Sequence, residues 1–215
     1  MTEQEWLTST DWLAMCDYLD GRHTTRKDQL FACSFGRVVW HLLADHSKEL
    51  VERGERFADG CATEGDLFAV CNGLTNTHDA AHRAARAAAH AAHHAVILDA
   101  ATAAGKSLRE FTSTVTLHKV ILASRLLNEG VKARLLRDIT GNPFRPVSVA
   151  RHWLTHSVVT LANCVYVERA FDQMPILGDA LEEAGCTDAS ILEHCRASTP
   201  HVKGCWVVDL LLGKL

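Results

Sequence analysis

Along most of this chain apolar residues recur three or four positions apart, the spacing that lines one face of an α-helix, and helix-cap signals punctuate the pattern. Thr2 and Glu5 form a capping-box pair ahead of Trp6 and Leu7. Thr10 with Asp11 starts a short helix carrying Trp12, Met15, Cys16 and Leu19, which Gly21 ends. Thr25 and Asp28 open a core helix whose stripe is Leu30, Phe31, Phe35, Val38, Val39, Leu42 and Leu43. Ser47 caps a charged helix ending near Gly60, and Thr63 starts another that runs out at Asn72-Gly73. Ser107 and Glu110 repeat the capping box before a helix toward Leu136, which Gly130 is expected to break or kink. Gly141 suits a left-handed C-cap, and Pro143 and Pro146 force extended backbone after it.

Beyond that loop, Val158 to Tyr166 reads as a buried helix. Asp172 caps the next, with Pro175 in its first turn; Ile176, Leu177, Ala180 and Leu181 face the core, Glu182 and Glu183 face water, and Gly185 stops it. Thr187 caps a short helix through Ile191 and Leu192. A turn at Ser198, Thr199 and Pro200 leads to a last helix with Trp206, Val207, Leu210 and Leu211. Period-two alternation is absent over any useful length, so the expected fold is all-α: an irregular multi-helix bundle of about eight to ten helices with a long Ala/His-rich central helix. The expected organisation is one helical domain over 1–215, with a bundle over 1–140 and a C-terminal clasp over 141–215.

The central helix is expected over about 76–104. At 100° per residue, His78, His82, Arg83, Arg86, His90, His93 and His94 fall within one arc of about 160°, opposite most of the alanines. The i,i+4 pairs His78/His82 and His90/His94 have the spacing of metal clips, but a solvated polar face is the plainer reading.

The chain has 215 residues, 47% hydrophobic and 22% charged, with a formal net charge of -4. That length supports a core without help from disulfides or metal, and that charge gives no electrostatic reason to expect nucleic acid or an anionic membrane. The acidic start MTEQEWL lacks the features of a secretory signal, and no apolar run approaches the roughly 20 residues of a membrane span. A cytoplasmic protein is expected, its eight cysteines reduced because most lie beside apolar neighbours in helical patterns.

Candidate chemistry concentrates between 186 and 209. Cys186, His194, Cys195, His201 and Cys205 are soft N and S ligands that two short helices and a turn could bring around one zinc ion. There is no Cys-x-x-Cys knuckle, and adjacent His194 and Cys195 point about 100° apart on a helix, so only one of them is expected to serve. An enzyme reading takes Cys205 or Cys195 as thiolate, His201 or His194 as base, and Asp209 as the orienting carboxylate. A third reading makes Asp209 part of a structural salt bridge, with Arg145, Arg196, Lys203 and Lys214 as candidate partners. Glycine-rich phosphate loops, Gly-x-Ser-x-Gly elbows and His-Glu-x-x-His pairs are absent, and GKS at 105–107 lacks the upstream glycine of a phosphate loop.

The stretches GNPFRP, ERAFDQMPILGDALEEAGC and HVKGCWVVDLLLGK, with TEQEWL and RKDQLFACSFGRVVWHLL, resemble a family of uncharacterised bacterial proteins. The resemblance implies a bacterial, cytoplasmic, helical protein and carries over no activity, cofactor or site residue. Residues 32–37 read ACSFGR where the family pattern reads like ACACCRR, which removes paired cysteines there. Two function classes follow. The first is a non-enzymatic scaffold or interaction domain with a protein or peptide partner; the alternative is a zinc- or copper-binding protein or a Cys/His enzyme using the terminal cluster.

Overall fold

A computed structural model of the chain describes residues 1–22, 24–43, 45–63, 65–66 and 127–214. The expected central helix, its candidate ligands His78, His82, His90 and His94, and the Ser107/Glu110 cap lie outside the described residues. Among those described there are nine α-helices, three short 3-10 turns and no strand, so the fold is all-α. No helix among them is long and apolar enough to cross a membrane. The chain divides into two compact units, Met1–Ala133 and Arg134–Leu215.

The first unit begins with α1 (Glu3–Thr8), closed by the expected reciprocal cap: Thr2 Oγ1 accepts from Glu5 N at 3.2 Å, and Glu5 Oε2 accepts from Thr2 N at 2.7 Å. In α2 (Trp12–Leu19) the cap is Asp11. The helices α3 (Thr25–Val38) and α4 (Asp45–Ala58) pack as a pair. Their approach is set by small residues, since a Cβ on Gly36 would meet Val51 Cγ2 at 2.5 Å and one on Gly54 would meet Cys33 Sγ at 2.9 Å. The same pair buries Glu55, 1% exposed, against a two-pronged Arg37 guanidinium at 2.8 Å for each bond.

The division between the units falls inside α5 (Glu129–Thr140). Asn128 Oδ1 accepts from Val131 N at 2.9 Å and so starts α5, which puts Gly130 in a first turn and leaves it no interior to kink. Gly141, at φ +70, ends the helix as expected.

The second unit continues through residues 146–150, which form no regular element, and a 3-10 turn (Arg151–Trp153) into α6 (His156–Glu168), α7 (Met174–Glu183), α8 (Ala189–Arg196) and α9 (Trp206–Leu212). Its core is built by α6 against α7 and α9, and by α7 against α8. Val158, Ala162, Val165, Leu177, Leu181, Ile191 and Val207 are fully buried there, and each large aliphatic among them is worth about 1.5–3 kcal/mol relative to exposure.

Three local expectations are corrected here. Asp172 does not cap α7; it lies in a 3-10 turn (Phe171–Gln173), and Gln173 is the cap residue. Asp188, not Thr187, caps α8, its Oδ1 accepting from Ser190 N and Ile191 N. Ile176 is 57% exposed, because the buried stripe of α7 runs through Met174, Leu177, Gly178 and Leu181, centred about 150° away around the helix.

Candidate metal centre

Four side chains of the second unit converge on one point: Asp138, His194, His201 and Cys205, with one potential ligand atom from each lying within 4.8 Å of all the others. Asp138 projects from the last turn of α5, and His194 from the last turn of α8. His201 follows the turn at Pro200, and Cys205 is the residue that begins α9. The loop between His201 and Cys205 is tightened by a Cys205 N to Val202 O bond of 2.9 Å, which brings both residues to the same side.

The contacts are short. His201 Nδ1 lies 2.6 Å and His194 Nε2 3.2 Å from Asp138 Oδ1. Cys205 Sγ lies 3.1 Å from His194 Nε2 and 3.9 Å from His201 Nδ1. The second carboxylate oxygen, Asp138 Oδ2, accepts the Val202 N–H at 2.9 Å and so fixes the plane of the carboxylate. Apart from His194, whose side chain is 17% exposed, these groups are buried: Asp138 is 6%, His201 3% and Cys205 0% exposed.

The electrostatics of the cluster depend on burial. For Asp138 burial acts to raise the carboxyl, but the hydrogen bonds and charges of His194 and His201 outweigh it and hold the group below its usual range. The Cys205 thiol is pushed well up, by burial first and by the Asp138 carboxylate second; the Val208 and Val207 N–H groups act the other way without prevailing. Left to the protein alone, Cys205 therefore stays protonated. A cation beside it would reverse that, since coordination deprotonates a thiol outright.

This arrangement differs from a Cys-His-Asp nucleophile relay. In a Cys-His-Asp triad the base takes the thiol proton on one ring nitrogen and is oriented by the carboxylate through the other. Here His194 presents the same nitrogen, Nε2, to both Cys205 and Asp138. His201 likewise turns Nδ1 toward both. Two imidazoles, a thiol and a carboxylate that share one focus form a donor set for a single cation.

The spacing can be set against that of a tetrahedral zinc site. Tetrahedral bonds of about 2.0–2.1 Å to N or O and about 2.3 Å to S put ligand atoms about 3.3–3.6 Å apart. Three of the four contacts above fall within half an ångström of that range, and the 2.6 Å pair must open by several tenths. His201 Nε2 is buried with no hydrogen-bond partner. With a metal on Nδ1 that nitrogen carries the ring proton unpaired, costing about 1–3 kcal/mol, well below the roughly 10–16 kcal/mol with which zinc binds structural sites.

The remaining candidates lie elsewhere. Cys195, adjacent to His194, points into the apolar core, fully buried, and burial raises its thiol to about 12. Cys186 is in the same core, its thiol raised by burial. Asp209 is fully buried one turn after Cys205, its N–H donating to Cys205 O at 2.9 Å. Arg196 donates to Asp179 and Glu182 on α7. Lys203 and Lys214 both lie over the Tyr166 ring, at 4.6 and 4.7 Å, and the Arg145 N–H donates to Asn142 O within the proline loop.

Asp138 was not among the residues singled out from the sequence. One signal for it was available: it is an acidic residue in the last turn of a helix, where the macrodipole disfavours negative charge. Comparison of the chain with family models, curated proteins and solved structures gave no match.

Proposed function

We propose that this protein is a non-enzymatic helical scaffold whose C-terminal unit is locked by one zinc ion, bound tetrahedrally by Asp138, His194, His201 and Cys205. The observation that carries the reading is the shared focus of four donors of three chemical types, three of them buried, drawn from three helices and a loop. A divalent ion balances the charges of one carboxylate and one thiolate, so the loaded site is neutral and suited to burial. Two imidazoles, one carboxylate and one thiolate match tetrahedral zinc better than copper, which favours square-planar N and O sites when oxidised and softer sulfur-rich sites when reduced. Four protein ligands also fill the coordination sphere. A catalytic zinc keeps a position open for water or substrate, so a structural role follows.

Elemental analysis of the purified full-length chain tests this. About one mole of zinc per mole of protein is expected, with cobalt substitution giving tetrahedral visible bands and a thiolate-to-cobalt charge-transfer band. Protein that retains no zinc after exposure to the ion and gel filtration would overturn the reading. So would a cobalt spectrum unchanged by Cys205→Ala.

A further inference from the structure

Trp206 has no ligating atom, yet its indole packs against one member of the cluster. Of the four donors only His194 is appreciably exposed, at 17%. The Trp206 ring packs on that imidazole, centroid to centroid 5.2 Å at 55°. The indole is also seated on Gly141: a Cβ there would fall 3.1 Å from Trp206 Cγ and 3.2 Å from Cδ2. Gly141 holds φ +70, so a side chain at that position is strained as well as crowded. One ring thus touches the residue that ends Asp138's helix, the imidazole of His194, and, through the chain, Cys205 beside it.

We propose that Trp206, seated on Gly141, is the positioning residue that holds His194 on the metal and closes the route by which the ion leaves. The inference rests on the zinc reading above. For the ion to escape, a ligand must swing away first. Asp138 is tethered by the Val202 N–H, and Cys205 and His201 are enclosed by the unit's interior. His194 is on the last turn of a short helix with part of its side chain exposed, so it is the ligand able to move, and the indole packs on its ring. Residues that orient ligands without touching the metal typically alter affinity 10- to 100-fold when replaced, which sets the expected scale at about that range.

The test is transfer of zinc from the loaded full-length protein to excess chelator, followed by stopped flow. Trp206→Ala is expected to keep one zinc per chain and the cobalt charge-transfer band while releasing zinc about 10- to 100-fold faster. Gly141→Ala, which pushes the indole off its seat, moves the rate in the same direction, and Trp206→Phe, which keeps a ring against His194, retains most of the slow release. Val158→Ala opens a cavity in the core that also holds Cys205, but replaces no ligand and leaves the indole on His194, and keeps the wild-type rate. The inference is overturned if Trp206→Ala releases zinc at the wild-type rate, or if Val158→Ala accelerates release as much as Trp206→Ala. Should Trp206→Ala not fold, the Gly141→Ala and Trp206→Phe rates decide by the same criteria. A wild-type chain that takes up no zinc defeats the zinc reading itself, and stoichiometry reveals that before any rate is measured.

Discussion

Asp138→Asn removes one charge and almost no volume, and its effect can be worked out from three contacts. The carboxylate meets His201 Nδ1 at 2.6 Å, His194 Nε2 at 3.2 Å and the Val202 N–H at 2.9 Å. An asparagine has one acceptor oxygen. If that oxygen faces the imidazoles, the amide NH₂ opposes the Val202 N–H; if it faces Val202, the NH₂ opposes the ring nitrogens, and His201 can accept only by placing its proton on the buried, unpartnered Nε2. Either way a buried donor loses its acceptor, at about 1–3 kcal/mol, and the charge-assisted bonds, worth about 1.5–3 kcal/mol each, are weakened. A total of about 3–5 kcal/mol follows, in line with removing one member of a buried ionic set. For a unit of this size each kcal/mol moves the melting point by about 4–8 °C, so metal-free Asp138→Asn should melt at least about 12 °C below metal-free wild type in a calorimetric scan. Zinc affinity falls too: about a quarter of the 10–16 kcal/mol of a structural site is about 3 kcal/mol, or roughly 100-fold. If the variant melts with wild type and binds zinc equally well, the carboxylate is not part of a shared focus and the site is misread.

Further expectations concern the first unit. Gly36→Ala gains up to about 1 kcal/mol of helix propensity but drives a methyl to 2.5 Å from Val51 Cγ2; overpacking of about 1–3 kcal/mol prevails, so urea stability falls, and adding Val51→Ala recovers part of it. Arg37→Met leaves the Glu55 carboxylate buried without its two-pronged donor and should cost about 3–5 kcal/mol, whereas replacing Glu55 with Gln in the same chain removes most of that loss; equal stability of the single and double variants would contradict it. Burial raises the Cys16 thiol to about 12, with Asp28 and Asp17 adding to the effect. A folded-state pKa above the unfolded value means stability that is complete below pH ~9 and declines by about 1.4 kcal/mol per unit as pH climbs from there toward ~12. Denaturation midpoints of Cys16→Ala should decline less steeply with alkaline pH than those of wild type, the buried thiols of Cys195 and Cys205 still contributing, and identical slopes for variant and wild type would refute it.

The helices were legible in the sequence wherever their ends are chemically marked within a few residues. The Thr2/Glu5 box, the Asp11 cap and the glycines at 21, 141 and 185 stand where the pattern put them, because a cap is satisfied by side chains three positions away and needs nothing distant. Three caps were misassigned by a single position, at 25, 172 and 187, where adjacent polar residues carry the same cap signal. The exposed face of Ile176 was not legible, since which apolar residues of a helix are buried depends on where its neighbours lie. In the tail, sequence alone determined that His194 and Cys195 diverge by about 100°, and the helix does send one to the cluster and the other to the core. What only the tertiary structure decided is the fourth donor. Asp138 lies 63 residues before His201, and no local rule connects them; the end of α5 and the turn after Pro200 meet because the unit buries its apolar stripes together, and that packing turns scattered polar residues into a common focus.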